Sequence, residues 1–220
     1  MLASHRLLGE NELASRLPSA LSALGLLGLI WWFARRWAGT PRAWLAVLAL
    51  ATCPGFVLWG RRGVPDMCFC LWTSGCTCLL AEGVRSGRTR WLVAGYACGG
   101  LALLTKGPLG LVLPGLALGA WLAWERRGPR ALRPWWAAVA LAVGLPWYLL
   151  EAQRVPEFLP HFLGRCHLQR YLEGLHREVR PWWSVPLSLV GLGFPWSLFL
   201  AARRPRDELD RLATLSLIHI

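Results

Sequence analysis

Seven stretches of the chain are apolar and carry no acidic or basic residue through their middles. They cover residues 18–33, 43–60, 64–81, 91–105, 107–124, 135–150 and 182–202. A helix needs roughly 20 mostly apolar residues to cross a hydrocarbon core, and fewer where the span is short. All seven are therefore expected as transmembrane helices, with 91–105 and 135–150 the shortest. Inside a bilayer, a helix satisfies its backbone polar groups within one segment. The expected fold is all-α, a polytopic transmembrane bundle of about seven spans with a long extracytoplasmic segment. Asp66, at the first turn of the third stretch, is the only acid we place within a span.

Composition supports that class. The chain is 55% hydrophobic and 16% charged, and its 15 tryptophans are too many for an ordinary soluble domain. A formal net charge of +12 raises the possibility of nucleic-acid binding. The distribution excludes it, because the basic residues fall between the apolar stretches. One set of loops holds Arg35, Arg36 and Arg42; Arg85, Arg88 and Arg90; Arg126, Arg127, Arg130 and Arg133; and Arg203, Arg204, Arg206 and Arg211. The opposite short loops hold only Arg61 with Arg62, and Lys106. By the positive-inside rule the first set is cytoplasmic, which places residues 151–181 outside. Trp31, Trp32, Trp44, Trp124, Trp135, Trp136, Trp182 and Trp183 lie near stretch ends, as an interfacial aromatic belt requires.

Six of the seven cysteines (Cys53, Cys68, Cys70, Cys76, Cys78 and Cys98) lie within apolar stretches, where cysteine acts as a small hydrophobe. Their spacing is not that of a zinc site, and we assign no metal and no cofactor. The opening residues, 1–16, are polar and amphipathic and do not read as a signal peptide. They suggest that a further helix precedes them. The closing hexapeptide, LSLIHI, reads as an artefactual tail. We expect a partial transmembrane domain over residues 1–205 and a truncated cytoplasmic segment over 206–220.

The polar residues that carry chemistry cluster at stretch ends. Arg61-Arg62-Gly63-Val64-Pro65-Asp66 closes the second stretch and opens the third. Asp66 reads either as an ordinary acid at a helix N-terminus or as an acid facing a substrate cavity. Thr105-Lys106-Gly107-Pro108 contains the chain's single lysine. In a chain that otherwise uses arginine, a lysine can mark a need for a compact ammonium. The alternative is a loop lysine reaching for the headgroups. Residues 151–181 contain His161, Arg165, His167, Arg170, Tyr171, His176, Arg177 and Arg180. If 167–171 is helical, His167 and Arg170 share a face. Such a face suits a lipid-linked phosphate, whose oxygens arginine binds in a fork, or simply anionic headgroups.

The ordered set ENELASRLPSA, RRGVPDM, LTKGPLGLVLP, PWYLLEAQ, FLGRCHLQRYLEG and HREVRPWWSVPLSLVGLGFPW resembles the GT-C membrane glycosyltransferases. Within them it is most similar to the bacterial branch of lipid A aminoarabinose transferases and dolichyl-phosphate-mannose–protein mannosyltransferase-like enzymes. The resemblance extends to about Pro205. It implies sugar transfer from a polyprenyl-phosphate donor to a lipid, glycan or protein acceptor at the outer face of the bacterial inner membrane. It further implies that the family's principal acid precedes residue 1, that Asp66 is a second, catalytic acid, and that Lys106, His167 and Arg170 bind the lipid phosphate. Arg61, Arg62 and His176 join them as candidate phosphate ligands. Cys166 stands where relatives often have an acid. A transporter-like protein, or an inert fragment, is the alternative.

Overall fold

The computed structural model describes residues 4–6, 9–158, 160–162, 181 and 183–198. Among these the regular structure is entirely helical. The elements are α1 (Glu12–Ala38), α2 (Thr40–Thr52), α3 (Pro54–Gly60), α4 (Asp66–Ser86), α5 (Thr89–Lys106), α6 (Leu109–Trp124), α7 (Ala137–Arg154) and α8 (Ser184–Leu192). Two 3₁₀ turns, Pro129–Leu132 and Pro134–Trp136, lead into α7. Every expected span thus has helix in its place.

The differences have local causes. The stretch 43–60 is two helices that meet at a 66° bend. Pro54 has no N–H to give and disfavours helical geometry at the residue before it, and Cys53 is accordingly extended. The stretch 182–202 is helical over Ser184–Leu192, turns over residues 193–196 and is helical again at Ser197 and Leu198 among the described residues. Three helical stretches, Glu12–Ala38, Asp66–Ser86 and Pro134–Arg154, are long and apolar enough to cross a membrane, and the bent pair makes a fourth. Helix α6 is shorter, at 16 residues. Helix α5 carries Arg90 and Lys106 at its ends and glycines in its middle, which lower its apolarity.

Helices α4 and α5 form the central pair, and reciprocal small residues set their register. A Cβ on Gly83 would lie 2.5 Å from Leu92, and one on Gly95 would lie 2.7 Å from Leu80. Pairing 83 with 92 and 95 with 80 makes the two helices antiparallel. Close approach at small residues is how helices associate in a lipid solvent, where burial of apolar surface gives little net drive. Helix α1 packs on α4, α2 on α1, and α6 and α7 on α5. Phe33, Leu80, Leu92, Leu118 and Trp121 form the main core, with Trp121 fully buried. Leu21, Leu24, Leu45, Leu116, Leu141 and Leu149 face outward and exposed, a cost in water but not in lipid.

Because the chain runs back and forth, its helix ends sort onto two faces. One collects the start of α1, the end of α3, the start of α4, the end of α5 and the end of α7. The other collects Arg35, Arg36, Arg42, Arg85, Arg88, Arg90, Arg126, Arg127, Arg130 and Arg133.

Candidate functional site

The first face is built around two helix ends. Pro65 precedes Asp66, and the Phe69 N–H donates to the Pro65 carbonyl at 2.9 Å to start α4. The connecting loop is tied to α1, where the Ser19 hydroxyl donates to the Val64 carbonyl at 2.8 Å. Gly63 lies against the backbone of Ser15. At the end of α5 the Leu103 carbonyl accepts from the Gly107 N–H at 2.8 Å and from the Tyr148 hydroxyl at 2.7 Å. Gly107 has φ 68° and ψ −150°, a positive-φ conformation that ends the helix without strain only because glycine lacks a Cβ. The last helical residue, Lys106, is thereby fixed, and Tyr148 anchors α7 to the same turn.

Asp66 and Lys106 meet there. The ammonium donates to Asp66 Oδ1, forming an ion pair across 40 residues of sequence. Lys106 Nζ also sits 5.1 Å from the centroid of the Phe69 ring. The side chains keep 35% and 30% of their exposure, so the pair is shielded yet open to solvent or ligand. Attraction is stronger in such a setting than in bulk water, and the ring face adds a cation–π contact. Asp66 thus stands at the N-terminus of α4 and also pairs with the last residue of α5, Lys106.

Arg61 and Arg62, at the end of α3, are exposed on the same face. The Arg62 guanidinium lies 4.8 Å from the Trp59 ring. With Arg16, Pro54, Val57 and Leu58 they line an open recess of about 610 Å³. Arg16 pairs with Glu12 one turn before it on α1. His167, Arg170 and His176 lie outside the described residues, as do Arg165, Cys166 and Tyr171. Among the described residues, no group of three or more histidine, cysteine or acidic side chains comes together as metal ligands would.

Two features escaped the sequence reading. One is an aromatic platform beside Tyr148. Phe162 lies 5.2 Å from Tyr148 and stacks on Phe158 at 5.5 Å, while Trp147 meets Phe158 edge-on at 5.7 Å. The PWY element and the phenylalanines ten to fifteen residues after it were its only signal. The other is a buried acid at the opposite end of α4, which corrects the placement of Asp66 as the only acid within a span. Glu82 is 2% exposed, yet Arg36 Nη2 and Nε donate to its Oε1 at 2.7 and 2.9 Å. Trp37 Nε1 donates to its Oε2 at 2.9 Å, and Arg85 packs over the Trp37 ring. The helix runs on to Ser86 rather than ending at Ala81, and the carboxylate is buried because α1 brings its partners to it.

Known proteins share this fold. The crystal structure of ArnT from Cupriavidus metallidurans bound to undecaprenyl phosphate superposes with a TM-score of 0.86 at 31% identity, over 99% of this chain and 42% of that one. The apo form of the same protein gives a TM-score of 0.81 at 29% identity. An undecaprenyl phosphate-alpha-4-amino-4-deoxy-L-arabinose arabinosyl transferase from Edwardsiella ictaluri is 32% identical over 206 residues, which is 86% of this chain. A second transferase of that name, from Pseudomonas fluorescens, is 34% identical over 202 residues, 87% of this chain. The chain spans about a third of the length of these relatives, 36% and 35% respectively. The profile described as dolichyl-phosphate-mannose-protein mannosyltransferase matches residues 1–149, and the chain, with its helical membrane architecture, belongs to that family.

Proposed function

We propose that this chain forms part of a glycosyltransferase. The enzyme moves a sugar from a polyprenyl-phosphate carrier to a lipid, glycan or protein acceptor at the outer face of the bacterial inner membrane. The observation that supports this most is the Asp66–Lys106 pair, held by two helix ends on the face away from the arginine-rich loops. The relatives named for an undecaprenyl phosphate-linked aminoarabinose favour a donor of that kind.

The chemistry asks for a cation first. As the sugar–oxygen bond breaks, negative charge collects on the leaving polyprenyl phosphate, and a preorganised cation lowers that barrier. Lys106 supplies it. Asp66 holds the ammonium in place through Oδ1, which leaves its second oxygen to take the acceptor hydroxyl's proton. Arg61 and Arg62 lie on the same face as further phosphate ligands, and the basic segment with His167, Arg170 and His176 joins them in sequence.

The test is transfer from an undecaprenyl phosphate-linked aminoarabinose donor by membranes carrying the protein. Lys106→Ala should cut turnover about tenfold or more, the value of one charge-assisted contact, with unchanged insertion. Turnover equal to the parent's would sink the assignment.

A further inference from the structure

The arginines on the face away from Lys106 are held in different ways. Arg36 is paired with Glu82, Arg85 reaches the Arg36 carbonyl and the Trp37 ring, and Arg133 donates to Thr89 Oγ1 at 2.8 Å. Arg35 and Arg42 flank the short connection from α1 to α2. Both are exposed, and neither takes part in an ion pair among the described residues. The Arg35 guanidinium lies 5.0 Å from the centroid of the Trp31 ring, and Trp31 meets Trp44 of α2 at 5.9 Å. Leu24, Gly28, Trp31 and Arg35 recur at helical spacing and form one stripe along α1. A Cβ on Gly28 would stand in open space, Leu24 is 64% exposed, and Leu48 on the neighbouring α2 is 53% exposed. From Arg35 back to Leu24 the helix rises roughly 16 Å. That is about half the thickness of a hydrocarbon core, the depth of one leaflet. Cations at the rim, indoles beneath them and an open apolar notch below match the order of parts in a lipid.

We propose that this stripe seats an anionic diacyl phospholipid of the leaflet that the arginine-rich face meets. Its phosphodiester lies between Arg35 and Arg42, and one acyl chain fills the notch at Gly28 against Leu24 and Leu48. The site is remote from Asp66 and Lys106 and does not depend on the transferase reading. Arginine suits the headgroup because its fork meets two phosphate oxygens at once, and the contact with Trp31 restrains the Arg35 fork. Charge decides the occupant. Among the described residues the acids at this end are Glu82, buried in its own cluster, and Glu125, which is also engaged. A second copy of the chain brings no free carboxylate from those residues to meet Arg35 and Arg42, whereas an anionic headgroup brings its charge with it.

Binding is measured by native mass spectrometry of the purified protein released from detergent, with dimyristoyl phosphatidylglycerol and dimyristoyl phosphatidylcholine as probes. The two lipids share their chains and differ only in the head. Phosphatidylglycerol should be retained in preference to phosphatidylcholine. The Arg35→Gln/Arg42→Gln protein should retain it about tenfold less. Arg126→Gln/Arg130→Gln removes the same charge from two other exposed arginines of that face, where no ring contact or notch is present, and should retain it as the parent does. Gly28→Leu fills the notch with a better helix former and leaves both arginines in place, so it should lower retention without loss of thermal stability. Equal retention of phosphatidylcholine, or full retention of phosphatidylglycerol by Arg35→Gln/Arg42→Gln, overturns the proposal. An equal loss in Arg126→Gln/Arg130→Gln overturns it too, because net charge alone would then explain the binding. So does a dimer that Gly28→Leu abolishes, which would assign the stripe to a second copy of the chain.

Discussion

The single lysine of the chain is the residue on which the proposed chemistry turns, and its partner decides how it is tested. Lys106 is held by Asp66 and faces Phe69, a setting shaped for a compact ammonium. Lys106→Arg keeps the charge but must fit a planar fork between the carboxylate and the ring. Its turnover should fall well below the parent's, while a lysine that merely reached for the headgroups would tolerate the change. Asp66→Asn and Lys106→Ala should also be strongly non-additive in a double-mutant cycle, because each removes the same pair. Additive losses in log turnover would show two residues acting independently. At the opposite face Glu82 makes a different prediction. It accepts three hydrogen bonds while almost wholly buried, and Arg36 is itself partly exposed at 37%. Glu82→Ala should destabilise by about 1–3 kcal/mol, and Glu82→Gln, which keeps an acceptor for Trp37 or Arg36, by less. Thermal unfolding in detergent followed by size-exclusion chromatography reads both. No loss in either variant would mean that the cluster contributes nothing to stability.

Helix ends carry the proposed site, so the elements must hold those ends still. Gly110, the second residue of α6, lies so close to the end of α5 that a Cβ there would be 2.4 Å from the Ala102 carbonyl carbon. The obstacle is backbone, which cannot swing away as a side chain can. Gly110→Val should push α6 from α5, cost about 1–3 kcal/mol, and lower transfer by shifting the turn that carries Lys106. Thermal unfolding and turnover measured on the same preparation check it; unchanged values for both would separate α6 from the site. Much of this layer was legible in sequence. Apolar run length marked every helix, and Gly107-Pro108 marked the break between α5 and α6. What stayed hidden depends on how helices turn about their axes. That Asp66 meets Lys106, or that Arg36 and Trp37 meet Glu82, follows from the Gly83 and Gly95 register and from α1 lying parallel to α4. Neither is written in the local pattern. The bend at Cys53 was masked for another reason, because Pro54 interrupts an apolar run without changing its hydropathy.

On the scale of the whole molecule, the two faces differ in what they hold, and membrane orientation follows from that difference. Arg35, Arg36, Arg42, Arg85, Arg88, Arg90, Arg126, Arg127, Arg130 and Arg133 gather on one side. The described cations opposite, on the short connections, are Arg61, Arg62 and Lys106, with Arg6 before α1, Arg16 in its first turns and Arg154 at the end of α7. Positively charged connections are retained in the cytoplasm, so the expected orientation has the ion pair and the arginine recess facing outward. Two positions report this directly. Gly128 is exposed with open space around it, on the arginine-rich side before α7. Gln153 is exposed in the last turn of α7, on the side of Lys106. In a background with Cys166→Ser, an impermeant maleimide added to intact spheroplasts should label Gln153→Cys, and should label Gly128→Cys only after lysis. The native cysteines of α4 and α5 lie within helices packed against one another and give a low background. The reverse pattern would put Asp66 and Lys106 on the cytoplasmic side. A donor presented at the outer leaflet would then never meet the ammonium proposed to receive its phosphate, and the transferase reading of this face would have to be given up with the topology.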